Sequence, residues 1–219
     1  MPESRHNILL VDDHDLFRSG LRLIIESLPQ MDDALYEAAT GEESIKIVGK
    51  NPVDIVFMDY DLPGLDGIAT SLRLLQINQA LKIIILTGMQ QRPMSSVVLQ
   101  TGIRGYMTKS SATEEVGLAI DSVMQGDTYL SPKVANQPAI AGLETDTQSK
   151  ASPLDNLSRR ELQVALLLMN GHKPTVVGDL LLLSPKSVST YKRRAFEKLE
   201  VESLVQLVEI GMNHGFIGD

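Results

Sequence analysis

Asp54-Ile55-Val56-Phe57-Met58-Asp59, running on into Tyr60-Asp61-Leu62-Pro63-Gly64-Leu65-Asp66-Gly67, is the stretch from which the fold is read. Four apolar residues between two acids have the composition of a short strand buried on both faces of a parallel sheet. The loop after it carries a proline, two glycines and two aspartates, which is turn chemistry. Asp59 therefore stands at the C-terminal mouth of a strand, where open α/β sheets hold their ligands. Alone, an acid there reads as a helix cap, so the partners supplied by the rest of the chain decide its meaning.

Residues 7–11 form a second apolar run, and it stops at two adjacent acids, Asp12 and Asp13. Residues 82–87 are the most β-rich segment and end at Thr87, 104–108 end at Lys109, and 34–38 complete the set. Between these runs apolar residues recur at helical spacing, as with Leu16, Phe17, Leu21, Ile24, Ile25 and Leu28. Further helices are predicted over 41–50, 68–79, 93–101 and 112–125. Five strands alternating with five helices predict an α/β fold with a five-stranded, doubly wound parallel sheet. Asp12, Asp13, Asp59, Thr87 and Lys109 all fall at C-terminal strand ends, which scattered solvated charges would not do.

Over residues 131–153 the periodicity gives way to polar, breaker-rich sequence, predicted to be a flexible linker between a first domain at 1–130 and a second at 154–219. The second domain reads as a smaller, all-α, four-helix unit. Ser158 and Glu161 form a capping box at its first helix, and Pro174 suits the first turn of a short second one. Ser184 caps a basic third helix with Pro185 in its first turn, and Ser203 caps the fourth. Short helix, tight turn and longer basic helix is the helix-turn-helix arrangement.

The net charge of -8 lies wholly in the first domain and linker, because the eight basic and eight acidic residues from 154 onward cancel. Any nucleic-acid role is therefore expected in the second domain, through local rather than bulk charge. With no cysteine there is no disulfide, thiol nucleophile or thiolate metal site. No apolar run approaches the roughly 20 residues of a membrane span, and no signal-peptide core precedes residue 8, so a cytoplasmic protein without membrane attachment is expected.

Two acids on one strand end and a third on another make an oxygen-lined pocket suited to Mg²⁺. The ion would offset carboxylate repulsion and grip phosphoryl oxygens. Lys109 would meet a phosphate as a point charge, Thr87 offers a mobile hydroxyl, and Asp59 is left as a nucleophile able to form an aspartyl-phosphate. His14 reads as an exposed helix-start residue.

This constellation resembles the receiver domain of two-component response regulators, a flavodoxin-like fold. The resemblance implies that Asp59 accepts a phosphoryl group from a histidine kinase, and that Asp12, Asp13, Asp59 and the Asp61 backbone carbonyl hold Mg²⁺. It also implies that Thr87 and Tyr106 form a switch pair, and that the protein is a regulator, not an enzyme. Ser110 stands where many receivers have proline. The strand ending Asp59-Tyr60-Asp61 also resembles the nucleophile motif of haloacid-dehalogenase-type phosphatases, but that reading leaves Asp12, Asp13 and the helix-turn-helix unexplained.

Residues 154–217 resemble the LuxR-type helix-turn-helix, so the whole chain resembles response regulators of the NarL/FixJ class, most of all their GacA/UvrY branch. Such a protein controls transcription by binding double-stranded DNA, as a homodimer on phosphorylation or on DNA. Val188, Ala195 and Leu199 are expected in the domain core, turning Ser189, Thr190 and Arg193 towards base edges. Lys186, Tyr191, Lys192, Arg194 and Lys198 are expected at DNA phosphates. Val176, Leu180 and Leu182 predict a covered apolar patch, with Leu182 in a turn that suits positive φ. Leu204, Leu207, Val208 and Met212 predict a dimer-facing side of the last helix. The alternative is a phosphorylation-switched protein-interaction module whose output domain no longer binds DNA.

Overall fold

The structure is a computed structural model that describes residues 6–28, 34–88, 95–135 and 152–213. Strands β1 (Ile8–Val11), β2 (Leu35–Ala38), β3 (Ile55–Asp59), β4 (Lys82–Thr87), β5 (Gly105–Thr108) and β6 (Tyr129–Leu130) form one sheet in the order β2-β1-β3-β4-β5-β6. Every neighbouring pair is parallel. The connections run through α1 (Asp15–Glu26), α2 (Gly41–Val48), α3 (Gly67–Ile77), α4 (Ser95–Gln100) and α5 (Ala112–Met124).

β1, β3 and β5 are buried along their whole length, as expected for continuous apolar runs in a parallel sheet. Alternation along the strands divides their side chains between two faces. Ile8, Leu10, Ile55, Phe57, Ile84 and Leu86 pack with Leu21 and Ile25 of α1 and with Val116, Ile120 and Val123 of α5. The intervening Leu9, Val56, Met58, Ile83 and Ile85 are also fully buried.

Six strands replace the predicted five. β6 is two residues long and pairs in register with Gly105 and Tyr106. It is too short to show any alternation, so only its neighbour's unpaired edge defines it. The expected linker start is also corrected, because Ser131 is fully buried and donates its amide to the Tyr106 carbonyl at 3.0 Å. Pro132–Ala135 then make a helical turn, α6. At the far end, Ser152 caps a 3-10 turn over Pro153–Asn156. Residues 136–151, most of the predicted linker, and the expected helix start at Pro93 lie outside the described residues.

The chain divides into two compact units, residues 1–90 with 103–134, and residues 91–102 with 135–219. The second unit thus takes the segment around α4, which the sequence pattern assigned to the first domain. Within that unit the Thr101 carbonyl accepts from Arg159 Nε at 2.9 Å and Gln163 Nε2 at 3.0 Å, so the buried Gln163 amide is satisfied.

The remaining helices are α7 (Arg159–Met169), α8 (Pro174–Leu181), α9 (Pro185–Leu199) and α10 (Leu204–Asn213). Glu161 carries out the predicted capping role, accepting from the Ser158 amide at 2.8 Å, and it also binds Lys198 Nζ at 2.7 Å. Burial works to raise the Glu161 pKa, but Lys198 and Ser158 outweigh it and hold the carboxyl below its ordinary value. Of the expected three-residue apolar patch, Leu180 is buried, which leaves Val176 and Leu182 exposed. Leu207, grouped with the dimer-facing residues, is likewise fully buried, whereas Leu204 and Met212 are exposed.

Leu182 occupies the left-handed region at φ 55°, ψ 44°, as its place in the turn requires. A side chain there is strained by about 1–2 kcal/mol, and at 63% exposure it loses little contact when removed. Leu182→Gly is therefore expected to stabilise the second unit by about 0.5–1 kcal/mol, read as a higher urea midpoint at unchanged slope. Glu161→Gln should act oppositely, lowering stability by about 1–2 kcal/mol near neutral pH. Because the folded carboxyl titrates below the unfolded one, its contribution is present above the unfolded pKa and is lost as pH falls through the folded one. The loss caused by the substitution should therefore shrink in acid unfolding curves.

Candidate functional site

Strand register assembles the site. Val11 pairs with Met58, so Asp12, one residue on, comes level with Asp59. Asp59 pairs with Leu86, and Thr87 pairs with Thr108. The Lys109 amide then donates to the Thr87 carbonyl at 2.8 Å, continuing the ladder one step beyond β5. Four distant stretches of sequence thus deliver their polar residues to one edge of the sheet.

Asp12 and Asp59 are 2% and 1% exposed. Lys109 Nζ bridges them, 2.6 Å from Asp12 Oδ2 and 2.9 Å from Asp59 Oδ2. Burial pushes the Asp59 carboxyl above its ordinary value; the bond to Lys109 opposes this and the Asp12 charge adds to it. Burial would depress the Lys109 ammonium, but its bonds to Asp12 and Asp59 outweigh that and raise it. The ammonium also lies 5.0 Å from the centroid of the Phe17 ring, a cation–π contact. The Asp61 amide donates to Asp59 Oδ1 at 3.3 Å, which brings the Asp61 backbone against the Asp59 carboxylate.

Thr87 and Tyr106 are both buried, with the Tyr106 ring wholly inside. The exposed Ser110 bonds the Thr108 hydroxyl at 3.1 Å, and Thr108, Ser111 and Ser131 continue as a buried chain of hydroxyls that backs the Lys109 loop. No peptide bond is cis among the described residues.

Asp12, Asp13, His14 and Asp59 each bring a donor atom into one cluster, all within 4.8 Å of one another. Asp12 and Asp59, both buried, and the exposed Asp13 beside them set three carboxylates against the ammonium of Lys109, which leaves an excess of negative charge. A divalent cation fits that excess, and the three carboxylates are hard oxygen donors suited to Mg²⁺.

Three features of the site escaped the sequence pattern. Phe17 read as part of a helix's apolar face. His14 read as a mere start residue, although its Nδ1 lies 2.8 Å from Asp13 Oδ1. Gly67 read as turn chemistry, yet a Cβ built there would sit 2.0 Å from the Asp59 carbonyl oxygen, so α3 starts hard against the Asp59 backbone. A glycine directly after a helix cap was the available signal for it.

In the second unit, Ser184 accepts from the Ser187 amide at 3.1 Å and starts α9. Val188, Ala195 and Leu199 are buried, which fixes the opposite face outward. Ser189 and Thr190 donate their hydroxyls to the Pro185 and Lys186 carbonyls, at 3.0 and 2.8 Å, leaving lone pairs towards solvent. Lys186 and Arg194 are exposed, while Tyr191 and Lys192 are half-buried, with Lys192 5.1 Å over the Phe196 ring. Arg193 pairs with Glu197 at 2.5 Å. Lys198 is corrected: expected at DNA phosphates, it is bound to Glu161 and to the Asn156 carbonyl. Glu197, Glu200 and Glu202 line a groove beside Ser189, Lys192 and Arg193, an acidic border that sequence reasoning missed.

Comparison with known proteins bears on both units. Residues 8–121 match the model of the response regulator receiver domain, and residues 155–210 that of the luxR family of bacterial regulatory proteins. The chain is 37% identical to the response regulator GacA of Pseudomonas aeruginosa, over 96% of this chain and 97% of that one. It is also 37% identical to the response regulator UvrY of Escherichia coli, over 95% and 94%. Among solved structures it resembles a LuxR-family response regulator of Aurantimonas sp. SI85-9A1, at TM-score 0.58 and 35% identity over 64% of this chain and 97% of that one. It shares the fold of RcsB solved in complex with DNA, at TM-score 0.58 and 22% identity over 96% and 99%.

The buried charge at Asp59 has a measurable signature. Its folded pKa lies above the unfolded one, so the cost of ionising it in the fold is absent below the unfolded value and grows as pH rises through the folded one. Asp59→Asn is therefore expected to stabilise the first unit, by on the order of 1 kcal/mol at neutral pH in the presence of chelator. The gain should close as pH falls through that window. Urea unfolding at several pH values checks it, and a gain that grows in acid would contradict the assignment.

Proposed function

We propose, for a chain that belongs to the response regulators pairing a receiver domain with a LuxR-type DNA-binding domain, that Asp59 is the phosphoacceptor through which a histidine kinase controls DNA binding. The observation that carries this reading is the Lys109 ammonium bridging Asp12 and Asp59 at the sheet edge. The receiver model's match over 8–121 and the luxR-family match over 155–210 support a receiver at 1–130 and an output domain at 154–219.

An Asp59 carboxylate oxygen forms the new P–O bond as the phosphorus–nitrogen bond to the donor imidazole breaks, and the imidazole leaves with the electron pair. Burial makes the carboxylate more basic, hence a better nucleophile, while Lys109 keeps it ionised and in place. After transfer Lys109 is set to pair with a phosphoryl oxygen. The Asp61 backbone, held against Asp59, fits the role of a carbonyl ligand. Mg²⁺, held by Asp12, Asp13, Asp59 and the Asp61 carbonyl, would supply charge neutralisation for the phosphoryl oxygens. Thr87, level with Thr108 on the adjoining strand, would donate its hydroxyl to the phosphoryl group, and Tyr106 on the same pair of strands would follow it. The wholly inward Tyr106 ring is the conformation this coupling requires of one state.

In the output domain, Ser189, Thr190 and Arg193 would face base edges, and Lys186, Tyr191, Lys192 and Arg194 phosphates. The Arg193–Glu197 pair must open for Arg193 to reach guanine, and the acidic border keeps non-specific affinity low. Two copies would read two half-sites about one helical turn apart, with the exposed Leu204 and Met212 as one contact between them. The luxR-family match over 155–210 weighs against an output domain that has lost DNA binding.

Incubation with a radiolabelled small phosphodonor tests the receiver half: label should enter the wild type and be absent from Asp59→Asn. Label persisting in that variant would remove Asp59 from the role. Selection of bound DNA fragments tests the other half. Arg193→Ala should lose about 1–3 kcal/mol of discrimination at one base position. Lys192→Ala should weaken binding evenly across sequences, with a salt slope lower by about 1.

A further inference from the structure

The imidazole of His14 is turned into the carboxylate cluster rather than away from it. Its Nδ1 lies 2.8 Å from Asp13 Oδ1, 3.2 Å from Asp12 Oδ1 and 4.0 Å from Asp59 Oδ2. The ring is 66% exposed, so no packing forces it inward. What places it is the backbone: His14 stands before α1 with extended dihedrals, and its amide donates to Asp12 Oδ1 at 2.8 Å. The same carboxylate thus fixes the residue's main chain and faces its ring nitrogen.

These spacings have a geometric meaning. Around an octahedral ion with bonds of about 2.1 Å, adjacent donors stand about 3.0 Å apart and opposite donors about 4.2 Å. The Nδ1 distances to Asp13 and Asp12 match the first separation and the distance to Asp59 approaches the second. The ring nitrogen thus stands where a ligand of such an ion would stand.

We infer that His14 Nδ1 is an additional ligand of this pocket, making it an oxygen-and-nitrogen site that takes first-row transition divalents, Mn²⁺ among them, in preference to Mg²⁺. Imidazole adds little to the binding of Mg²⁺, which demands oxygen, but it strengthens the hold on transition ions. The choice between the two kinds of ion therefore rests on this one side chain, while the carboxylates serve both. The inference relies on the pocket being a receiver-type cation site, and its test separates the two ideas.

Mn²⁺ and Mg²⁺ would be titrated separately into chelator-treated full-length protein, wild type and His14→Ala, with bound Mn²⁺ examined by pulsed electron paramagnetic resonance for nitrogen coupling. The wild type should show the coupling of a directly bound imidazole nitrogen. His14→Ala should lose it, and its Kd for Mn²⁺ should rise about tenfold while that for Mg²⁺ changes less than twofold. Bound Mn²⁺ without nitrogen coupling in the wild type, coupling that survives in His14→Ala, or equal weakening for both ions would overturn the ligand role while leaving the pocket intact. A Mn²⁺ affinity unchanged by Asp12→Asn would instead remove the cation site, and the inference with it.

Discussion

Two carboxylates almost wholly withdrawn from water, Asp12 and Asp59, share one ammonium, and the first unit is arranged around that unequal division of charge. Isolated buried charges cost several kcal/mol each, and one lysine cannot balance two acids with a third at the rim. The imbalance makes the pocket receptive to a cation. It also sets up a competition: a cation that neutralises Asp59 would be shared with any further anion brought into the pocket. Lys109 is suited to both, because its ammonium, lying over the Phe17 ring, is a point charge with three donors that already spans two anions.

The surroundings of that edge differ on its two sides, close-packed on one and lined with hydroxyls on the other. Gly67 lets α3 begin against the Asp59 carbonyl, so the Asp59 backbone is closed in by a helix start as well as by two strands. On the other side, Thr108, Ser110, Ser111 and Ser131 form a line of hydroxyls behind Lys109. Hydroxyls rotate and can exchange donor and acceptor roles, so this line can follow a change in the lysine loop without exposing an unsatisfied group.

The output unit solves a similar problem with an ion pair. Glu161 caps the start of α7 and binds Lys198 near the end of α9, so a single buried carboxylate ties the recognition helix to the scaffold helix. That use removes Lys198 from the DNA-facing set. Sequence spacing could not show it, since a lysine on a basic helix face has the same pattern whether it meets a phosphate or a glutamate 37 residues earlier. Leu180 and Leu207 were misread for a related reason: helical periodicity shows which residues share a face, while the neighbour that covers the face comes from elsewhere in the chain.

Much of the protein was legible from the chain alone. Apolar runs that stop abruptly at Asp12, Asp59, Thr87 and Lys109 report both the strands and their chemistry, because a parallel sheet needs continuous apolar strands and collects its ligands at their C-terminal ends. Caps at Ser158, Ser184 and Ser203 located three helix starts, since capping is a local bargain between a side chain and the next three amides. Tertiary structure alone decided the rest: the sixth strand, which exists only through the edge of β5; the turn of His14 into the acid cluster; and the capture of Lys198 by Glu161. Each depends on partners that no local pattern encodes, since burial and charge pairing are properties of the assembled neighbours.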